Sequence, residues 1–259
     1  MQIIRVRLVN SKDAKGCEEA PVKVLKALRV IECNEKSKII EYNKLNLEEI
    51  HVDLKNINEA NHLIFENSKE AFERNFKCFF VGGDHSISYP ILKAFKKIEL
   101  DPLLIVFDAH ADCEDREDNH GWLRKLIEEG YDGDKIILIG VRSFSEEEIK
   151  FLKENKITLI KMDILQEDLS GVCDLIMERA RKSTGFYVSI DIDCVDHAFA
   201  PGVSSPEPGG LSSRDLIYFI KRLALLNNFR GGDIVEINPS LDIHGVTVKL
   251  GAKLLGEMI

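Results

Sequence analysis

The hydrophobic positions of the chain fall into short runs that alternate with amphipathic segments. Runs of strand length occupy residues 3–9, 38–42, 78–81, 103–107, 136–140, 157–161, 186–190 and 232–237. Segments with helical periodicity include residues 57–72, 88–97, 145–155 and 212–226. Apolar strands that alternate with helices are typical of a parallel sheet covered on both faces. The pattern therefore predicts the α/β class, a three-layer α/β/α sandwich with a mainly parallel sheet.

The same pattern runs along the chain without interruption by a repeat, a low-complexity stretch or a linker rich in Pro, Gly or Ser. We therefore expect a single domain over residues 1–259. In open sheets of this class, ligands bind beyond the carboxyl ends of the strands. Residues that directly follow the predicted strands are thus the first candidates for chemistry.

Charge and composition narrow the possible partners. The formal net charge of −9 disfavours binding to nucleic acid or an anionic membrane, whereas it attracts a cationic small molecule. No apolar run approaches the roughly 20 residues of a membrane span, and the N-terminal segment resembles a first strand rather than a signal peptide. The six cysteines contain no CxxC pair, which argues against a disulfide framework and a zinc knuckle. We expect a soluble, cytoplasmic protein.

A first group of polar residues follows the apolar run at 103–107. Asp108, His110 and Asp112 occupy every second position, and alternate side chains of an extended backbone share one face. Carboxylate and imidazole groups are ligands of hard or borderline divalent ions. The alternative is a polar loop with a capping aspartate, but three such residues after a buried strand favour a metal site.

A second group follows the run at 186–190. Asp191 and Asp193 again alternate at a strand end, and two carboxylates on one face repel each other unless a cation or a shared proton separates them. A proton-sharing acid pair, as in an aspartic protease, is the alternative to a metal site. Asp196 breaks the alternation and is interpreted as a turn residue or an outer partner of the site.

A third group follows the run at 78–81. Here Gly82 and Gly83 allow a sharp turn, and Asp84 and His85 come directly after it. A lone histidine of this kind is usually a surface residue. Beside two other polar strand ends, His85 is instead a candidate ligand.

Six candidate ligands therefore lie at three strand ends. That number exceeds what one zinc ion with an open coordination position needs. It suits two divalent ions that share carboxylates and a water molecule, an arrangement that generates a nucleophilic hydroxide at neutral pH. The candidates are His85, Asp108, His110, Asp112, Asp191 and Asp193.

Together the three segments resemble the ureohydrolase family, which comprises arginases, agmatinases, guanidinobutyrases and formimidoylglutamases. The matching motifs are GGDHS at 82–86, DAHAD at 108–112 and SIDIDCVDHAFAPGVSSPEPGG at 189–210. The resemblance implies an arginase-like sandwich, two Mn²⁺ ions per subunit, and a homotrimer or homohexamer. It also implies a hydrolase that acts on linear amidines, in which a metal-bound hydroxide attacks a guanidinium-type carbon.

The resemblance further implies a role for each candidate ligand. Asp108 and Asp191 would bridge the two manganese ions. Each ion would take two further ligands, namely His85 and Asp112 for one, and His110 and Asp193 for the other.

Two more positions match the family. Glu236, in the segment GDIVEINP at 232–239, resembles the glutamate that binds the substrate guanidinium, which a carboxylate accepts as a bidentate fork. His120, in Asn119-His120-Gly121, resembles the histidine that transfers a proton at the mouth of the site, a role suited to a pKa near neutrality. The alternatives are a structural charge for Glu236 and a surface histidine for His120.

The chain also departs from the family. His197 stands where relatives usually carry proline, and the segment GVSS at 202–205 is closer to formimidoylglutamases than to agmatinases. The short loop at 113–118 contains four acids and one base, Arg116. The acids favour a substrate with a cationic tail, and the segment at 140–147 also resembles agmatinase. We therefore expect hydrolysis of agmatine to putrescine and urea, a step of polyamine biosynthesis.

Several alternatives stay open from the sequence alone. Arginase, guanidinobutyrase and formimidoylglutamase act on substrates that bear carboxylates, which Arg116 would suit. A deacetylase-like amidohydrolase with one metal ion would need only an Asp, His, Asp set. An inactive homologue is the last alternative, although all six ligand positions carry ligand residues.

Overall fold

A computed structural model describes residues 1–259 and contains one sheet of eight strands, all parallel. The order across the sheet is β2-β1-β3-β8-β7-β4-β5-β6. The strands are β1 Gln2–Val6, β2 Asn46–Ile50, β3 Cys78–Gly82, β4 Pro102–Phe107, β5 Ile136–Ile139, β6 Thr158–Ile160, β7 Gly185–Asp191 and β8 Phe229–Val235. The predicted α/β/α sandwich with a parallel sheet is confirmed.

Nine α-helices connect the strands and cover the sheet. They are α1 Ala20–Leu28, α2 Ile57–Arg74, α3 Ser88–Ile98, α4 Trp122–Glu128, α5 Glu146–Glu154, α6 Met162–Glu167, α7 Leu169–Lys182, α8 Ser213–Leu223 and α9 Val246–Met258. The start of α5 is fixed by a capping box, in which Ser145 and Glu148 satisfy each other's backbone N–H groups. No helix meets the length and hydrophobicity that crossing a bilayer demands.

Successive residues of each central strand point into two separate hydrophobic cores. In β4, Leu103 and Ile105 pack in the core beneath α1 and α6–α9, whereas Leu104 and Val106 pack in the core beneath α2–α5. Strands that are buried on both faces read as continuous apolar runs. That is why the sequence reveals the central strands.

The strand predicted at 38–42 is wrong. Ile39 makes only an isolated antiparallel bridge to Cys33 and is 73% exposed, while Ile40 packs beneath the helices. The second strand is β2, which pairs only with β1 at the sheet edge. Its alternate residues face solvent, so its sequence is polar and acidic. Glu49 of β2 pairs with Arg5 of β1 at 2.6 Å.

Candidate metal centre

Four neighbouring strands, β3, β8, β7 and β4, end at the same edge of the sheet. Because they are parallel, the residues that follow them meet at one place. This arrangement brings together all six candidate ligands and Glu236. They are His85 after β3, Glu236 after β8, Asp191 and Asp193 at the end of β7, and Asp108, His110 and Asp112 after β4.

The first group of ligand atoms surrounds the imidazole of His85. Its Nδ1 atom lies 3.0 Å from Oδ2 of Asp108, 3.0 Å from Oδ2 of Asp112 and 3.3 Å from Oδ2 of Asp191. All four residues are buried. Their ligand atoms lie within 4.8 Å of one another, so they can hold one ion.

The second group surrounds His110. Its Nδ1 atom lies 2.9 Å from Oδ2 of Asp193 and 3.7 Å from Oδ1 of Asp108. Asp108 therefore belongs to both groups and faces one imidazole with each oxygen. Asp191 contacts only the first group at this spacing, so its bridging role stays a prediction.

Two atoms of the cluster indicate that a cation fits there. His85 Nδ1 and Asp108 Oδ2 are buried and have no hydrogen-bond partner, although they lie 3.0 Å apart. Buried polar atoms without partners are costly. A divalent ion between them would remove that cost, and ligands of nitrogen and carboxylate oxygen without thiolate suit manganese-type ions.

A buried hydrogen-bond network orients His85 from behind. Its Nε2 atom lies 3.0 Å from Oγ of Ser189, which donates to Oδ1 of Asp233 at 2.7 Å. The hydroxyls of Ser88 and Tyr187 donate to Oδ2 of Asp233, each at 3.0 Å. Since Ser189 uses its proton on Asp233, it accepts the Nε2–H of His85, and Nδ1 is left to face the carboxylates.

Sequence reasoning did not identify Ser189 and Asp233. The available signal was a hydroxyl and a carboxylate inside otherwise apolar strands, β7 and β8. Both residues are completely buried. Buried polar groups in a strand interior need hydrogen-bond partners. Here the hydrogen bonds connect both residues to His85.

The charged groups of the cluster shift one another's pKa. Burial, followed by the charges of neighbouring carboxylates, raises the pKa of Asp108 to about 7 and also raises the pKa of Asp191. Burial acts to lower the pKa of His110, but the hydrogen bond and charge of Asp193 raise it to about 10. The surrounding carboxylates raise the pKa of His85 against its burial in the same way. Without another cation, protons neutralise the cluster.

The backbone around the ligands is tightly constrained. A side chain at Gly83 would place a Cβ atom 2.0 Å from the carbonyl oxygen of Leu8, so the turn before His85 requires glycine. Asp84 then holds this turn by accepting hydrogen bonds from the backbone N–H of Ser11 at 3.0 Å and of Ser86 at 3.1 Å. The second glycine of the motif therefore has a packing reason.

Glu236 lies beside the first group of ligands. Its Oε1 atom accepts hydrogen bonds from the backbone N–H of His85 at 2.9 Å and from Nδ2 of Asn119 at 3.0 Å. The Cys17 thiol lies 3.8 Å from Oε2. Glu236 adopts a left-handed backbone conformation, with φ of 61°, which is unusual for a non-glycine residue. Burial and the charge of Asp84 raise its pKa to about 8.

His120 lies at the opening of the site. It lines an outer cavity of about 230 Å³ together with residues of both ligand groups and of the surrounding loops. Its Nδ1 atom is 3.9 Å from Oδ1 of Asp112, and its ring is 6.4 Å from that of His110. This placement is compatible with proton transfer between the cluster and solvent, the role that the resemblance implies.

The walls of the site carry acidic and hydroxyl groups but no lysine or arginine. The outer cavity is lined by His110, Asp112, Glu114, His120, Ser143, Phe144, Ser145 and Glu148. A narrower inner cavity adds Asn119, Asp191, Asp193, Val203, Ser204, Ser205 and Glu236. Apart from imidazoles, the site therefore offers no cation to a substrate carboxylate.

Two residues singled out in the sequence lie away from these walls. Arg116 is exposed and pairs with Asp118 and, at 3.4 Å, with Glu114. His197 is exposed and lies 4.0 Å from Asp196. Neither lines a cavity of the site.

Arg142, from the segment that resembled agmatinase, binds backbone carbonyls. It donates to the carbonyl oxygens of Asp193 at 2.8 Å and Glu207 at 2.7 Å. The Arg142 side chain therefore links the segment that contains Asp193 to the loop that contains Glu207. These contacts use the hydrogen-bond donors of its guanidinium.

Comparison with known proteins shows that the sequence of this chain matches a protein family. The model of the arginase family matches residues 3–259. Arginase 1, mitochondrial, of Oryza sativa subsp. indica is 34% identical over 209 residues, which cover 76% of this chain and 59% of the relative. The chain thus corresponds to about three fifths of the length of that curated relative.

Solved structures extend the likeness over the whole fold. Formimidoylglutamase from Bacillus subtilis subsp. subtilis str. 168 superposes with a TM-score of 0.91 and 26% identity, covering 99% of this chain and 85% of the other. The agmatine ureohydrolase of Thermoplasma volcanium gives 0.85 and 27%, with 99% and 87% covered. From the family match, the sequence likeness and the shared fold, we conclude that the chain belongs to the arginase family.

Proposed function

We propose that this protein is a hydrolase that uses two Mn²⁺ ions to cleave a guanidino C–N bond, most specifically that of agmatine, yielding putrescine and urea. One observation carries the proposal. Two groups of ligand atoms, all buried except those of the half-buried His110, share Asp108, and Glu236 lies directly beside the first group. A single-metal amidohydrolase would leave one of the two groups without a purpose.

In this proposal, Asp108 and Asp191 would each serve as a ligand for both ions of a subunit. His85 and Asp112 complete the first position, and the second position takes His110 and Asp193. When bound, the ions supply a nucleophile derived from water at neutral pH. The network through Ser189 and Asp233 holds the His85 ring so that Nδ1 faces the first position.

Glu236 would bind and orient the substrate guanidinium. Asn119 and the backbone N–H of His85 both donate to Oε1, so they fix the carboxylate plane. A planar guanidinium pairs with such a fixed carboxylate through parallel hydrogen bonds. The cation would also lower the raised pKa of Glu236, since an opposite charge favours the ionised carboxylate. His120 would carry a proton between the bound substrate and solvent.

The substrate tail is the finer part of the proposal. The absence of lysine and arginine from the cavity walls, together with Glu114 in the outer cavity, supports a cationic tail over a carboxylate. Arginase, guanidinobutyrase and formimidoylglutamase activities are the alternatives. Formimidoylglutamase has the support of the structural similarity and of the Ser204 and Ser205 segment, which lines the inner cavity.

The domain organisation, location and partners of the protein are proposed from its sequence and from its resemblance to the family. We assign residues 1–259 to a single ureohydrolase domain. We also propose that the protein is cytoplasmic and that it assembles as a homotrimer or homohexamer. Neither nucleic acid nor membrane is proposed as a partner, in keeping with the net charge of −9.

A parallel substrate comparison tests the proposal. The purified protein, reconstituted with Mn²⁺, would be assayed for urea and ammonia release from agmatine, arginine, guanidinobutyrate and formimidoylglutamate. We expect agmatine to give the highest kcat/KM. Faster turnover of a substrate with a carboxylate would overturn the choice of agmatine, and no turnover of any of them would support an inactive homologue.

A further inference from the structure

Trp122, the only tryptophan of the chain, contacts two of the candidate metal ligands. Its indole Nε1–H donates to Oδ2 of Asp112 at 2.7 Å. Its ring lies against the imidazole of His85, with 4.6 Å between the ring centroids and 40° between the planes. Both ligands belong to the first group. The side chain is buried, with 2% of its surface exposed.

The segment that carries Trp122 holds Asp112 at a second point. The backbone N–H of Leu123 donates to the carbonyl oxygen of Asp112 at 3.1 Å. Asp112 itself has a left-handed backbone conformation, with φ of 48°. Such a conformation persists only where surrounding contacts enforce it. The first turn of α4 supplies two of these contacts, one to the backbone and one to the carboxylate.

The loop between Asp112 and α4 is closely packed, and this packing holds Trp122 in position to contact Asp112. A Cβ atom at Gly121 would lie 1.9 Å from the carbonyl oxygen of Arg116. The backbone N–H of Glu114 donates to the carbonyl oxygen of His120 at 3.1 Å. Trp122 therefore reaches Asp112 from a short, closely packed turn.

We propose that Trp122 is a positioning residue of the first metal position: its indole N–H fixes the Asp112 carboxylate, and its ring closes the site on the side of His85. This inference rests on the proposed metal centre, but it does not depend on the identity of the substrate. A hydrogen bond occupies one lone pair of Oδ2 and leaves the other for a cation. Outer partners of this kind typically change metal affinity by about 10- to 100-fold.

Replacement of the indole tests the positioning role. Trp122→Phe keeps an aromatic ring but removes the N–H donor. Leu126→Val is the matched control, because Leu126 is a buried residue of the same helix and core and has no ligand as a hydrogen-bond partner. Binding of Mn²⁺ to wild type and both variants would be followed by the electron paramagnetic resonance signal of the free ion. Thermal unfolding of the proteins without metal would report the packing loss.

We expect wild type and Leu126→Val each to bind two Mn²⁺ ions, and we expect the affinities measured for the variant to equal those of wild type. In Trp122→Phe we expect one of the two affinities to fall by roughly tenfold. Unchanged affinities in Trp122→Phe would overturn the inference, as would an equal loss in Leu126→Val. If wild type itself bound no Mn²⁺, the proposed metal centre would fail instead, so the two failures are distinguishable.

A second readout remains available if Trp122→Phe does not fold. All tryptophan fluorescence of the wild-type protein comes from Trp122. We expect paramagnetic Mn²⁺ to quench this emission in proportion to occupancy, because the indole is hydrogen-bonded to a ligand. A tryptophan far from the metal position would not respond to the metal, so quenching would place the indole beside it. Emission that stays constant while Mn²⁺ binds would contradict the assigned contact.

Discussion

The buried cluster and the loop above it are held in place by different kinds of contact. His85 is held by Ser189 and Asp233, and Asp112 is held by Trp122, all inside the protein. The acidic loop at 113–118 is held at its surface by ion pairs of Arg116 with Glu114 and Asp118. Exposed ion pairs contribute little stability and weaken in salt. Under the proposed function, the reaction would depend on this rigid interior, and the choice of substrate would depend on a surface loop whose contacts contribute little to stability.

The largest effect is expected from a change inside the cluster. Asp191→Asn removes one charge from the first group of ligands, so metal binding and urea release should both collapse. We expect activity to fall by more than about 100-fold, since even the loss of an outer partner of a ligand can cost that much. Metal content per chain and the rate of urea release would be measured together.

Asp174→Asn is the control for this change. It makes the same substitution at a surface residue whose one charged partner is Arg222. We expect it to keep two metal ions and full activity. If Asp191→Asn also kept both, the assignment of the cluster would be wrong.

Glu236→Gln should separate substrate binding from metal binding. The amide keeps the size of the side chain but loses the charge that pairs with a guanidinium. We expect turnover of agmatine to fall on the order of 100-fold, comparable to the loss of one electrostatic contact in an active site, while the metal content stays at the wild-type value. Turnover at the wild-type rate would show that Glu236 is structural.

The pH dependence should follow from the shifted pKa values of the cluster. The pKa of His110 is raised to about 10, so its imidazole carries a proton at pH 7 before a metal binds. The carboxylates around His85 raise the pKa of that imidazole in the same direction. Metal ions need neutral imidazoles, and binding must therefore release protons. The apparent affinity for Mn²⁺, and with it the activity, should rise from acid to alkaline pH.

Calorimetric titration with Mn²⁺ in two buffers of different ionisation enthalpy would count the released protons. Activity measured across pH should need the most added Mn²⁺ at the acid end. A rate that needs no metal and peaks in acid would instead indicate a carboxylate pair that shares a proton.

The smallest effect is expected at the loop. Glu114 lines the outer cavity, whereas Glu117 is exposed and lies outside its walls. Glu114→Gln should therefore raise KM for agmatine by about two- to fivefold, the scale of an exposed charge contact, and leave kcat unchanged. The effect should shrink as salt rises, because the Debye length is only about 8 Å at physiological strength.

Glu117→Gln and Arg116→Ala serve as the controls for the loop. We expect both to change KM less than Glu114→Gln does. A larger loss in Arg116→Ala would mean that Arg116 pairs with a substrate carboxylate, and the preference for agmatine would then be wrong.

The sequence predicted the core of the sheet well because central strands are apolar on both faces. It failed at residues 38–42, since an apolar segment can pack beneath helices while the edge strand β2 remains polar. The convergence of the polar strand ends followed from the parallel topology alone.

The partners of the ligands could not be predicted in this way. Ser189 and Trp122 are near the ligands in space, and nothing in local spacing assigns them to His85 or Asp112. The orientation of the Arg116 side chain could not be predicted either, because an exposed side chain takes its orientation from neighbouring charges. Such contacts depend on packing between separate elements rather than on periodicity.

The central claim is that one buried cluster holds two metal ions that share Asp108. Titration of the metal-free wild-type protein with Mn²⁺, followed by the electron paramagnetic resonance signal of the free ion, tests it directly. We predict saturation at two ions per chain, and the loss of tight binding of both ions in Asp108→Asn, because Asp108 belongs to both groups of ligands. Saturation at one ion per chain, or an Asp108→Asn variant that still binds two ions as tightly as wild type, would contradict this account.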